Sequence, residues 1–287
     1  MNIALGTAQF GNSYGIANKL KNKSIEVEKS ILSCAFNAGI STLDTAIDYG
    51  ESEKRLGMLG VKGWKIITKI PRIPSSVKNI NEWVDIQIKG SLTRLNTNQI
   101  YAVLLHSPKQ LVDFSGNEIF KALQNLKSIG LVKKIGISIY DPTELDLLFN
   151  LFDFDLVQTP LNVLDRRILK SGWLSKLSSN KIEVHARSIF LQGLLLMSRN
   201  QIPTQFNKWA FLWNKWHQWL ADSNLTALDA CLQFALSFKQ INKVIIGVDN
   251  INQIKQIVKS TKYQDISIPD YFETNDVDLI NPYNWEN

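Results

Sequence analysis

Residues 101–138 read YAVLLHSPKQLVDFSGNEIFKALQNLKSIGLVKKIGIS, and this stretch decides the fold. Tyr101–His106 and Lys133–Ser138 are short runs, continuously apolar in the middle, as expected for parallel strands covered on both faces. Between them Ile119, Leu123 and Leu126 share one helical face, and Gly130 stops the helix.

Similar strand-like runs recur on both sides: Ile3–Gly6, Ser41–Asp44, Trp64–Lys69, Phe154–Gln158, Ile182–Arg187 and Lys243–Gly247. Helical patterns separate them. Ser24 caps a helix with Glu26 and Glu28 in its first turn; its apolar face is Val27, Ile31, Cys34, Ala35 and Ala38, and Gly39 ends it. Asp141 and Pro142 form a cap followed by proline at the first helical position. Asn250 opens a last helix carrying Ile254 and Ile257. Eight strands alternating with helices predict a parallel sheet, and eight closes a (β/α)8 TIM barrel. The rival is an open doubly wound sheet, but GTAQFG after the first strand lacks the GxGxxG spacing. No Pro/Gly/Ser linker divides the chain, so 1–287 is expected to form one α/β domain with a core at about 3–258. Two segments lie outside the repeat. Residues 199–222 carry Trp209, Trp213, Trp216 and Trp219 at helical spacing, which predicts a helix packing its aromatic face on the barrel. Residues 269–287 form a polar tail with interspersed aromatics, over or beside the barrel.

Of the 287 residues 45% are hydrophobic and 20% charged, which suits a globular protein with a large core. The 32 basic and 26 acidic residues leave a net charge of +6 without a long basic run, so nucleic acid is not an expected partner. A mild positive field favours an anionic cofactor or substrate. Two cysteines, Cys34 and Cys231, and no CxxC or Cys/His cluster imply neither disulfides nor a metal site. Met1 and Asn2 lead straight into IALG without a signal-peptide pattern, and no run reaches the ~18 apolar residues of a membrane span. A cytoplasmic protein without membrane contact is expected.

In a barrel the C-terminal ends of the strands share one mouth, where active sites form. Here those ends are Gly6, Asp44, Lys69, His106, Ser138, Gln158, Arg187 and Gly247, with Thr7 directly after the first. A full ring of polar or glycine ends reads as a site. Tyr49, in the segment LDTAIDYGESE, is the expected proton donor. A free phenol has a pKa of ~10, too weak an acid near neutrality. The Lys69 ammonium is expected to lower it, with Asp44 holding Lys69 charged and oriented. His106 can donate a hydrogen bond to a substrate carbonyl oxygen. Hydride must come from outside the protein, because no side chain supplies it. His185 reads as a packed core residue and His217 as surface. Glu51 and Glu53 read as helix-dipole partners without a catalytic role.

DTAIDYGESE, ITK and LLHSP, with SLTRLNTNQIYAVLLHSP, ALQNLKSIGLVKKIGIS and VQTPLNVLDRR, resemble the aldo-keto reductase family from residue 3 to about 258, in the family's order. The resemblance implies a (β/α)8 barrel that binds NADPH or NADH in extended form, without a Rossmann domain or metal. It places Asp44, Tyr49, Lys69 and His106 at the catalytic positions. Ser138 and Gln158 would hydrogen-bond the nicotinamide carboxamide, and Gly6 and Thr7 would line the floor beneath it. Ser188 and the loop LQGLL with Gly193 would follow the pyrophosphate. Gly247 to Gln253 would surround the adenosine end, where backbone N–H groups of the last helix suit phosphate.

Two positions depart from the family. Arg187 stands where many members stack a tyrosine on the nicotinamide ring, and a guanidinium can stack there too. The loop GVDNINQ has no lysine or arginine for a 2′-phosphate; Asp249 would repel that phosphate or accept a ribose hydroxyl. NADPH is the family default, and Asp249 counts against it. ARSIFLQG and GTAQFGNSYGIAN look like a bacterial branch associated with sugar metabolism. The resemblance thus implies a reductase of an aldehyde or ketone, a small-molecule partner, and a monomer or weak homo-oligomer. Two alternatives remain at this point: a cofactor-binding sensor, as in the potassium-channel β-subunits of similar sequence, and a barrel lyase or isomerase using the same residues.

Overall fold

A computed structural model describes residues 1–11, 16, 24–261 and 266–286. Eight strands close a barrel in chain order: β1 (Ile3–Gly6), β2 (Thr42–Asp44), β3 (Lys65–Ile70), β4 (Ile100–Leu105), β5 (Val132–Ser138), β6 (Leu156–Pro160), β7 (Glu183–Arg187) and β8 (Lys243–Gly247). Every neighbouring pair is parallel, and β1 pairs with β8 to close the ring. The fold is the expected (β/α)8 TIM barrel. The strand limits move by a residue or two. β3 runs one residue past Lys69, and β6 starts at Leu156 and continues to Pro160, because pairing with Arg187 extends the ladder.

The register sets the height of each strand end. Gly6 pairs with both Asp44 and Gly247, and Ser138 pairs with Gln158. Residues two apart face the same side of a strand. Ile67 joins Ala102, Leu104 and Leu156 in a small apolar cluster, and Lys69, two residues further along β3, shares its face. The main core is the larger apolar layer between strands and helices, including Leu5, Leu43, Val103 and Ile137.

The helices follow their caps. Ser24 Oγ accepts from the Val27 N–H ahead of helix Ile25–Asn37, and Gly39 leaves with φ 85°. Helix Gly116–Ser128 ends in the same way, with Gly130 at φ 79°. The buried face of the first of these differs from expectation. Val27 is exposed, and Glu28, Ile31, Leu32 and Ala35 are buried. The Arg55 guanidinium meets Glu28 at 2.7 Å, which lets a carboxylate turn inward. Asp141 accepts from the Thr143 N–H, yet the helix begins at Glu144, so Pro142 sits in a preceding turn. Asn250 caps helix Ile251–Ser260 through the Gln253 N–H, and Ile254 and Ile257 are buried.

Both segments outside the repeat dock. Helix Ala210–Asp222 buries Trp213 and Trp216, whose indole N–H groups donate to the Phe206 and Leu195 carbonyls. Trp216 stacks on Trp219, and both meet Phe272 of the tail edge-on. The Arg166 guanidinium grips the tail through Asp270 at 2.6 Å and the Pro269 carbonyl at 2.9 Å. The tail then reaches the barrel mouth with Pro282 and Tyr283. No helix among the described residues is long and apolar enough to cross a membrane.

Candidate active site

The barrel mouth opens into a cavity of about 640 Å³, within the range of small-molecule and cofactor sites. Gly6, Thr7, Asp44, Tyr49, His106, Ser138, Gln158, Arg187, Ser188, Gly193, Gly247, Asp249 and Gln253 all line it. Lys69 lies beneath the wall, 1% exposed.

A chain of buried hydrogen bonds crosses the floor. Ser138 Oγ donates to Gln158 Oε1 at 3.2 Å, and Gln158 Nε2 donates to Asp44 Oδ2 at 2.7 Å. Asp44 Oδ1 receives the Lys69 ammonium at 2.7 Å, and Lys69 also donates to the Thr45 carbonyl at 2.8 Å. One carboxylate thereby ties strands β2, β3, β5 and β6 together and neutralises the buried Lys69 ammonium. Breaking such a pair from either side leaves an uncompensated charge. Ser138 and Gln158 each keep unused hydrogen-bonding capacity toward the cavity, since a hydroxyl has two lone pairs and an amide two N–H groups.

Tyr49 stands above this chain. Lys69 Nζ is 5.1 Å from its ring centroid, and the His106 imidazole meets it edge-on at 5.9 Å. The β2 end that carries Tyr49 is pinned by Thr7 and Ser52. Thr7 Oγ1 donates to the Asp44 carbonyl, and Ser52 Oγ donates to the Thr7 carbonyl. Gly11 lies so close to this segment that a Cβ there would fall 1.7 Å from the Tyr49 carbonyl oxygen. Burial raises the Tyr49 phenol well above its free value; the Asp44 charge adds to the rise and Arg187 opposes it. This reverses the expected lowering by Lys69. Burial dominates, and the Asp44 carboxylate that holds Lys69 bears on the phenol as well. Burial likewise lowers His106, against the pull of Asp48 at 3.9 Å, which favours a neutral imidazole.

The remaining wall is shaped by unusual backbone. Ser188, Leu191, Gln192 and Gly193 all have positive φ, from 47° to 91°. Left-handed conformations at non-glycine residues persist only where surroundings enforce them, and they cluster at ligand sites. Asn162 enforces one, donating to the Ser188 carbonyl at 3.1 Å. At the far end, the Asp249 N–H donates to Gln253 Oε1, and Gln9 packs so tightly on Gly247 that a Cβ there would lie 2.2 Å from its amide.

Several lining residues carried no sequence signal: Gln9, Tyr140, Phe190, Pro282 and Tyr283. Each sits in a loop, a single turn or the tail, where no periodicity marks orientation. Glu53 is also more than a dipole partner. It is 2% exposed and accepts from Thr68 Oγ1 and Arg94 Nε, bracing the strand that bears Lys69. His185 is fully buried against Glu183, as a core residue should be, while His217 is half-buried rather than on the surface. Among the described residues no cluster of His, Cys, Asp and Glu could hold a metal.

A closed parallel barrel with a proton-handling cluster at its mouth defines a barrel-enzyme type of site. Residues 2–276 match the profile of the Aldo/keto reductase family, and the chain belongs to that family. It is an NAD(P)H-dependent reductase acting on a small carbonyl compound. It is similar to D-threo-aldose 1-dehydrogenase of Pseudomonas sp, at 26% identity over 93% of this chain and 92% of that one. D-arabinose 1-dehydrogenase of Saccharomyces cerevisiae is 25% identical, over 83% and 79% of the two chains. The holo form of an aldo-keto reductase from Bacillus halodurans superposes with a TM-score of 0.74 at 20% identity, over 93% of this chain and 88% of that one, which speaks for the fold.

Proposed function

We propose that Tyr49 donates the proton in this carbonyl reduction. The observation that carries the reading is the cluster itself: Tyr49, His106 and the Lys69–Asp44 pair meet at one end of a cofactor-sized cavity. The bound nicotinamide supplies hydride, which no side chain can. Neutral His106 donates a hydrogen bond to the carbonyl oxygen and fixes its position. Tyr49, kept protonated by burial, holds the proton that the developing alkoxide takes. Lys69 and Asp44 act on the phenol by orientation and by fixing the local charge.

The donor set fits a nicotinamide dinucleotide. Ser138 and Gln158 have spare valences for a carboxamide, Gly6 and Thr7 would form the floor beneath it, and the left-handed turn through Gly193 would hold the pyrophosphate. The N-terminus of helix Ile251–Ser260 supports the adenosine end through its backbone N–H groups. Among the described lining residues Arg187 is the one lysine or arginine, and its charge acts on Tyr49 at the reactive end. We therefore read the site as accepting NADH at least as well as NADPH. The two aldose dehydrogenases among its relatives direct the search for substrate to sugar-derived carbonyls. A single-domain, cytoplasmic protein, a monomer or weak homo-oligomer, completes the reading.

Purified protein titrated with NADH and NADPH, then assayed by cofactor absorbance against aldehydes, ketones and aldoses, tests it. Binding with turnover of a carbonyl is expected. Binding without any turnover would favour the sensor, and no binding of either cofactor would end the reductase reading.

A further inference from the structure

The reactive end of the cavity holds two cations in different states of compensation. Lys69 is neutralised by Asp44 at 2.7 Å. Arg187 forms no ion pair among the described residues. Its Nη2 donates to the Ile139 carbonyl at 2.9 Å, its Nη1 to Ser188 Oγ at 3.1 Å, and its guanidinium lies over the Tyr140 ring, 4.5 Å from the centroid. All three supports are neutral, and Tyr140 and Ser188 are held in turn. Arg167 donates to the Tyr140 carbonyl at 3.0 Å, Asn162 grips Ser188, and the Tyr283 ring of the tail meets Tyr140 at 6.5 Å. The guanidinium is therefore held at the cavity wall by two hydrogen bonds and a ring contact, unlike a solvated surface arginine.

The charge balance of the reaction shows what this cation does. Reduction moves one hydride, two electrons and a proton, to the carbonyl carbon, while the Tyr49 proton goes to the carbonyl oxygen. The nicotinamide ring passes from neutral to a charge of plus one. A carbonyl held by Tyr49 and His106 would have to contact that ring, so the new positive charge would arise at the end of the cavity that Arg187 lines. The arginine's field is felt at both groups, pushing each toward its deprotonated form. Two carboxylates oppose it at Tyr49: Asp44, which is already paired with Lys69 at 2.7 Å, and Asp48, whose side chain is 54% exposed and screened by water.

The geometry points to Arg187 as the residue that sets the redox preference of the bound cofactor, disfavouring the positively charged oxidised nicotinamide and favouring the neutral reduced form. Reduced cofactor is held more tightly, and oxidised cofactor leaves more readily after turnover. This rests on the reading of the cavity as a nicotinamide site.

The test is a difference of affinities rather than a rate. Dissociation constants for NADH, NAD+, NADPH and NADP+ are measured by fluorescence and calorimetric titration for the wild type, Arg187→Gln and Arg187→Lys. Removing the charge should cut the preference for the reduced form on the order of tenfold, from two unit charges within several ångströms in a half-buried site, and Arg187→Lys should keep most of it. Lost positioning alone would weaken both forms alike and leave the ratio untouched. Should Arg187→Gln not fold, Arg187→Tyr carries the same readout. An unchanged ratio, with both forms still bound, overturns the inference and leaves the reductase reading intact. Failure of the wild type to bind any of the four overturns that reading instead.

Discussion

At the level of single residues, Tyr49 combines a raised pKa with the role of acid, and burial resolves the tension. A phenol pushed up by desolvation is protonated throughout the neutral range, so the donor is always loaded. Tyr49→Phe removes one hydroxyl and leaves the ring packed on His106. Its cofactor affinity should stay within about twofold while reduction falls by roughly 10²–10⁴, the usual worth of a positioned acid; stopped-flow and equilibrium titration separate the two. Equal activity in the variant would refute the assignment. At the other end of the cavity, Asp249→Arg should move the NADH/NADPH affinity ratio toward NADPH by about tenfold or more, since a guanidinium recognises a phosphate well. A ratio that stays put would show that Asp249 does not face the 2′ position.

At the level of elements, close approach and paired charge govern placement. Helix Ser52–Leu59 crosses helix Ile80–Leu95 at Gly57, where a Cβ would come within 2.0 Å of the Arg94 carbonyl oxygen. Gly57→Ala must therefore part the helices, and denaturant titration should show a loss of about 1–3 kcal/mol. At the start of β7, Glu183 receives His185, Lys134 and Tyr101. Burial alone would raise its carboxyl, but these partners outweigh burial and bring it from 4.5 to about 2. A depressed carboxylate stabilises the fold above its unfolded pKa and loses that contribution as pH falls through the folded value. On the order of 3 kcal/mol should thus disappear between about pH 4.5 and 2. Melting curves of the wild type and Glu183→Gln across that range give the check; parallel pH profiles would sink it.

For the molecule as a whole, the tail joins the periphery to the site. Phe272 is fully buried against Trp216 and Trp219, and eleven residues later Tyr283 reaches the cavity. Phe272→Ala should cost up to about 3–5 kcal/mol, less whatever the tail saves by detaching. Limited proteolysis would then remove the C-terminal segment while the barrel persists, and the substrate KM would rise. A tail that stays protected would show that Arg166 and Asp270 suffice to hold it.

How much of this was legible in the chain follows from the range of the forces involved. Strands β1 to β8 announce themselves because a parallel strand covered on both faces must be apolar for several residues, whatever surrounds it. The ring Asp44, Lys69, His106, Ser138, Gln158 and Arg187 was legible for a related reason: burying a polar group is costly, so a polar residue that closes an apolar run must meet a partner or a ligand there. The exposed Val27, the buried Glu53 and the upward shift of Tyr49 were not legible. Each depends on parts of the chain distant in sequence: Arg55 beside Glu28, Arg94 beside Glu53, and, for Tyr49, the surroundings that bury its phenol, with Asp44 second. Tyr140 and Tyr283 were hidden because loop and tail residues have no period from which direction can be read. The sequence by itself determined the barrel, the order of its strands and the chemistry at their ends, because those rest on local periodicity. Only the tertiary structure decided which charges cancel and which stay uncompensated. Charge balance is a property of distances, and it is the Asp44 carboxylate beside Lys69, with no counterpart beside Arg187 among the described residues, that sets the two cations apart.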